Sequence, residues 1–198
     1  IAKQIFKLAI PSSLSVLLGL LYGQVDRYLI QYYMGEESLG LYSLGITIGG
    51  LMSVVVGSVS KVTQRIVFEA CDKQSNTSYV ENLSLFISLG VVSLCILLSL
   101  YSETLIQILS NSEYNYAAII LPYVFIGVAI GSLYKFSAHI LVYYRKMWFF
   151  AYISVIAFII NFLIGWVLIP NIGIKGAAIG SVLSAAIYSF GVIYYSRK

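Results

Sequence analysis

The sequence predicts an all-α membrane protein, a bundle of six transmembrane helices, on three observations. First, the chain of 198 residues is 60% hydrophobic and only 10% charged, with a mean hydropathy of +0.90, whereas soluble domains run near 25% charged. A globular fold of this size exposes much of its chain, and so few polar side chains do not cover it. Second, six stretches reach the roughly 20 mostly apolar residues that a bilayer core requires. Third, Lys and Arg gather in alternate connections between those stretches. Helices are predicted rather than strands because only helices and closed barrels satisfy their backbone in lipid, and the alternation of barrel strands is absent.

The first span covers Leu8 to Tyr33 and the second Leu39 to Val62, with Met34-Gly35-Glu36-Glu37-Ser38 between them. A polar connection, Thr63 to Asn82, leads to the third span, Leu83 to Tyr101. Ser102 to Tyr116 leads to the fourth, Ala117 to Tyr143, in which Pro122 removes one backbone N–H and predicts a kink. The fifth, Trp148 to Ile169, follows Tyr144 to Met147, and the sixth, Gly176 to Tyr195, follows Pro170 to Lys175. Together they read as one membrane domain, 1–198. Tyr32, Tyr33, Tyr143, Tyr144, Trp148, Trp166, Tyr194 and Tyr195 stand at span ends, where amphipathic rings anchor at headgroup level. No basic-then-apolar leader precedes the first span and the chain opens on Ile1, so no signal peptide is expected and a longer parent chain is. Cys71 and Cys95 offer neither a disulfide framework nor metal-ligand spacing.

Orientation follows from the basic residues. One set of connections and ends holds Lys3, Lys7, Lys61, Arg65, Lys73, Arg145, Lys146, Arg197 and Lys198, and the other holds Lys175 alone, nine against one. The positive-inside rule places both termini in the cytoplasm. Glu36, Glu37, Glu103 and Glu113 lie in the opposite connections. Asn76-Thr77-Ser78 and Asn82-Leu83-Ser84 match a glycosylation pattern but fall on the cytoplasmic side, and we read them as chance. The net charge of +4 does not point to nucleic acid, because in a membrane protein the position of charges matters more than their sum.

Two cations fall inside spans, Arg27 beside Asp26 in the first and Lys135 in the fourth. Ionisable groups in a span face a partner or a wet cavity. Gln24, Arg27 and Gln31 share one helical face, with Asp26 turned about 100° toward Tyr22 and Gly19. The structural alternative is an ion pair that locks the bundle. Gly50, Ser53, Gly57, Ser60 and Gln64 form a small and polar stripe suited to helix packing, with Lys61 and Arg65 alongside. Those two cations either snorkel to headgroups or attract phosphate. In the fourth span Tyr123, Gly127, Gly131 and Lys135 stand four apart, and His139 follows one turn later, a position where packing is the default role. Asp26 has no second carboxylate in a span, and no metal cluster, nucleophile set or phosphate-cradling loop is evident. The expectation is therefore that the chain is not an enzyme and carries no cofactor.

Asn161-Phe-Leu-Ile-Gly-Trp-Val-Leu-Ile-Pro170-Asn-Ile-Gly173-Ile-Lys-Gly176-Ala177-Ala178-Ile-Gly-Ser181 resembles the hairpin that ends many members of the multidrug/oligosaccharidyl-lipid/polysaccharide exporter superfamily. Locally, Pro170 is expected to stop one helix and Gly173 to permit the turn, with small residues packing the returning helix. Ala9-Ile-Pro11-Ser-Ser, Gln24-Val-Asp26-Arg27, Met34-Gly35 and Leu39-Gly40-Leu-Tyr42-Ser resemble the helix that begins the second half of oligosaccharide flippases. The two signatures bracket nearly the whole chain. The resemblance implies the carboxy-terminal six-helix lobe of a two-lobed transporter in a bacterial plasma membrane, with the amino-terminal lobe as its missing partner. Its cargo would be an undecaprenyl-diphosphate-linked oligosaccharide for O-antigen, capsule or exopolysaccharide. Arg27 and Lys135 would attract the diphosphate and Gln24, Gln31 and Asn161 would bond sugar hydroxyls, with Asp26 as a charge-balancing or ion-coupling group for H+ or Na+. Lys61, Arg65 and His139 are weaker candidates. A drug or cation antiporter of the same superfamily would carry an acidic cavity, a polymerase or ligase would need a large exterior loop, and a scaffold would pair Asp26, Arg27 and Lys135 internally.

Overall fold

A computed structural model describes residues 2–73, 77–110 and 112–198, with the side chains of 2–8, 77–78, 112–113 and 136 left aside. Lys3, Lys7, Glu113 and the Asn76-Thr77-Ser78 pattern fall outside what is described. The protein is an all-α, multi-spanning membrane protein with five helices long and apolar enough to cross a bilayer. In order they are α1 (Ala2–Asp72), α2 (Thr77–Leu100), α3 (Ser102–Leu109), a 3₁₀ segment (Ser112–Ile119), α4 (Leu121–Leu133), α5 (Lys135–Tyr143), α6 (Met147–Ile172) and α7 (Ile174–Ser196). α3 is too short to span, and α4 and α5 are separated by Tyr134 alone.

α1 is two arms. Its helix is interrupted at Gly35, with φ 81° and ψ −174°, a conformation that glycine adopts without the Cβ penalty. Tyr42 donates a 3.1 Å hydrogen bond to Asp26 sixteen residues earlier; on a straight helix those residues would be roughly 24 Å apart. The chain therefore folds back at Gly35, and the five-residue connection expected there contracts to one residue. Gly173 does the same between α6 and α7 with φ 69° and ψ −148°. The two turns are neighbours, since Met34 Cε lies 3.2 Å from where a Cβ on Gly173 would sit. Trp166 and Tyr33 meet edge to face at this end, 6.1 Å between centroids.

The opposite end gathers the basic connections. Tyr143 at the end of α5 donates 2.8 Å to Asp72 at the end of α1. Lys146 lies over the ring of Tyr195, 5.0 Å from its centroid, and that ring stacks on Phe149 at 4.0 Å. Thus 72–73, 145–146 and 197–198 share one end, away from Gly35 and Gly173. The α5–α6 turn closes with two backbone bonds, Lys146 N–H to Leu141 C=O and Arg145 N–H to Val142 C=O, both 3.0 Å. This is the reciprocal pattern that caps helix ends on a left-handed residue. Arg145 occupies that slot at φ 57°, the one non-glycine residue with positive φ among those described, at a cost of about 1–2 kcal/mol.

One core joins the returning arm of α1 to α2, α3 and α4 through Ile48, Met52, Val91, Cys95, Ile106 and Phe125. A second ties both arms to α6 and α7 through Leu29, Ile30, Tyr42, Ile169, Ile174 and Ala177. Leu20, Val54, Phe86, Leu97, Val167 and Phe190 are exposed on the outside, as lipid requires and water would penalise.

Three local expectations change. Pro122 sits in the first turn of α4, where its missing N–H costs nothing, so it starts a helix rather than kinking one. The break falls instead at Tyr134, where Ser132 Oγ turns back to Ala129 C=O at 2.7 Å and Ser88 Oγ of α2 takes Ser132 C=O at 3.2 Å, competing with the helical ladder. Pro170 lies inside α6, and the helix ends at Gly173.

Candidate functional site

Two open cavities lie between the arms of α1 and helices α4 to α7. The larger, about 690 Å³, is lined by Ser15 and Tyr22, Ser60 and Gln64, Lys135 and His139, and further residues of α4, α6 and α7. The smaller, about 360 Å³, is lined by Asp26, Tyr42, Tyr123 and Ser181 among others. Tyr22, Gly127, Gly131, Tyr134, Lys135 and Ala185 line both. The larger cavity reaches Val142 and Met147 at the basic end, and the smaller runs toward the end with the glycine turns. Polar groups on a helical bundle whose outer face is apolar give water or a polar cargo a place inside the bilayer.

Lys135 is positioned by the break at Tyr134. It opens α5 at the junction of the cavities, with its Nζ 5.4 Å from the centroid of the Tyr134 ring, and Tyr134 meets Tyr188 edge to face at 5.3 Å. His139 follows one turn later, buried, with Nε2 3.1 Å from Ser60 Oγ. The structure thus brings Lys135 and His139 to the same wall.

Asp26 is 3% exposed. Its Oδ2 accepts hydrogen bonds from Ser181 at 2.5 Å and Tyr42 at 3.1 Å, while Oδ1 is buried without a partner. Asn161 is fully buried beside Asp26 and Tyr22, and neither its Oδ1 nor its Nδ2 reaches hydrogen-bond geometry. Tyr22 donates to Ser181 C=O at 2.8 Å and lies 2.8 Å from Ser184 Oγ. A carboxylate and an amide with orphaned atoms side by side form a polar pocket that has spare capacity for a proton or ion.

The remaining candidates lie elsewhere. Gln24 and Gln31 are exposed. Arg27 is half-buried with an unpartnered Nε, and neither it nor the two glutamines lines either cavity. Lys61 is exposed, and Arg65 pairs with Glu69 at 3.0 Å, the ion pair found among the described residues. Asp26, Arg27 and Lys135 therefore form no internal ion pairs with one another. Sequence reasoning missed Tyr42, Ser181, Ser184, Tyr134 and Tyr188. Ser181, Ser184 and Tyr188 recur on one face of the last span, a stripe that carried the signal.

A family model described as "Polysaccharide biosynthesis protein" matches residues 1–119. The chain is 25% identical over 99% of its length to the capsular polysaccharide biosynthesis protein CapF of Staphylococcus aureus, of which it covers 50%. It thus spans about half the length of that curated relative. No solved structure matches. The relative also corrects one expectation: a protein named for polysaccharide biosynthesis does not stand apart from the enzymes of that process, so the statement that the chain is not an enzyme is withdrawn. The multi-spanning helical bundle, its polar interior and a family match over more than half of the sequence agree, and the chain belongs to the polysaccharide biosynthesis protein family.

Proposed function

We propose that the chain is one six-crossing wall of a flippase that carries a lipid-linked oligosaccharide across a bacterial plasma membrane, working against a second lobe. The observation that carries this is the pair of cavities joined at Lys135. A sugar diphosphate crosses only where hydroxyls, amides and a cation replace its water. Lys135 supplies charge at the junction, while Tyr22, Ser60, Gln64 and Tyr188 supply hydrogen bonds around the larger space. Arg27, Gln24 and Gln31, which line neither cavity, would face the opposing lobe, and Arg27 Nε has a hydrogen bond to give. Asp26 with Asn161 serves as the site of the coupling ion. Two lobes rocking about a site between them provide alternating access. A cationic antiport cargo is disfavoured because Lys135 lines both cavities, against Asp26 in the smaller one alone.

The test is Lys135→Ala in the intact gene product. Surface polysaccharide should fall at least tenfold while protein level and melting temperature hold, and Lys135→Arg should restore part of it. Normal polysaccharide with the alanine variant would sink the assignment.

A further inference from the structure

Arg145 stands where a glycine would be cheaper. It fills the left-handed position of the α5–α6 cap at φ 57°, a slot that glycine takes without strain. The local fold gains nothing visible from its side chain, which is exposed and forms no ion pair among the described residues. Asp72, a carboxylate at this end of the bundle, is already engaged by Tyr143. Backbone strain retained at an exposed cation suggests that the cation itself is used.

Its position suggests the use. The residues on either side of the turn, Val142 and Met147, line the larger cavity, so Arg145 and Lys146 stand at its rim. Lys146 is held in place over Tyr195, whose ring is stacked on Phe149. Lys135 lies ten residues earlier in sequence, roughly 15 Å down the helix. A guanidinium on a constrained backbone at the mouth and an ammonium within form two stations for the same anion. Arginine suits the mouth because its planar fork grips phosphate oxygens two at a time.

We propose that Arg145, supported by Lys146, is a loading site that captures the diphosphate of a polyprenyl lipid at the cavity mouth before it passes to Lys135. This rests on the flippase reading for the identity of the cargo. The experiment uses the intact gene product in phosphatidylcholine nanodiscs containing either undecaprenyl diphosphate or phosphatidylglycerol, with inorganic pyrophosphate in solution as a separate arm. Wild type should bind the diphosphate lipid in preference to phosphatidylglycerol. Arg145→Gly, which relieves the strained slot, should melt at a higher temperature yet bind that lipid about tenfold more weakly, the scale of one charge-assisted contact. Arg145→Lys should fall between them. A glycine variant that binds as wild type does, or melts lower, overturns the proposal, as does equal binding of phosphatidylglycerol. Pyrophosphate binding as tightly as the lipid would overturn the lipid part. The two readings fail separately: deleting the gene without loss of surface polysaccharide removes the flippase assignment, whereas polysaccharide that depends on the gene but not on Arg145 removes only the loading site.

Discussion

At the scale of single residues, the bilayer interior makes every polar atom expensive, so where each hydrogen bond goes is informative. Asp26 is buried, and Ser181 and Tyr42 both donate to its Oδ2. Tyr42 is itself 2% exposed, and phenylalanine would fill the same volume without the hydroxyl. Tyr42→Phe should therefore destabilise the protein by about 0.5–3 kcal/mol, the range from a neutral to a charged acceptor, and a detergent melting curve reads the loss. An unchanged melting temperature would show that Ser181 alone suffices for the carboxylate. Asp26, Lys135 and His139 were legible in the sequence because ionisable residues stand out in an apolar run. Tyr42, Ser181 and Tyr188 were not, since hydroxyl residues are common in spans and only the packed helices show which of them converge.

Among elements, helix existence was legible and helix limits were not. Apolar runs marked each span, but α1 continues past the expected end of its second span at Val62 to Asp72, and α2 begins at Thr77 rather than Leu83, because amphipathic ends remain helical beyond the lipid. The break at Tyr134 depends on Ser88 reaching across from another helix, a contact that no local pattern encodes. Close helix approach is also a tertiary property. A Cβ on Gly176 would lie 2.6 Å from the backbone of Leu168, which cannot swing aside as a side chain could, whereas nothing lies within 4 Å of one on Gly90. Gly176→Ala should lower stability by several kcal/mol through separation of α6 from α7. Gly90→Ala should be neutral or stabilising by up to about 1 kcal/mol from helix propensity. Equal melting temperatures for the two variants would show that the α6–α7 contact is softer than the geometry implies.

For the whole molecule, the decisive feature is the reversal at Gly35. As an unbroken rod the 64 residues of Ala9–Asp72 would extend roughly 96 Å, about three times the hydrocarbon core. Folded back, they supply two crossings, and on the proposed reading α2, the α4–α5 pair, α6 and α7 bring the crossings to six. That even count would return both ends of the chain to one side, together with the basic turns at Lys73 and Arg145, and would leave Gly35 and Lys175 on the other. The positive-inside rule predicts that the basic end is then cytoplasmic. Single cysteines in a variant lacking Cys71 and Cys95 test this in whole cells with a membrane-impermeant maleimide. Lys175→Cys should label in intact cells, and Arg197→Cys only after permeabilisation. Labelling of both in intact cells would mean that α7 (Ile174–Ser196) does not cross the bilayer, and the reverse pattern would turn the larger cavity and its arginine mouth toward the outside. The outcome bears on the proposed transport as well as on topology, because the proposed loading site at Arg145 serves export only if that mouth of the larger cavity opens to the cytoplasm.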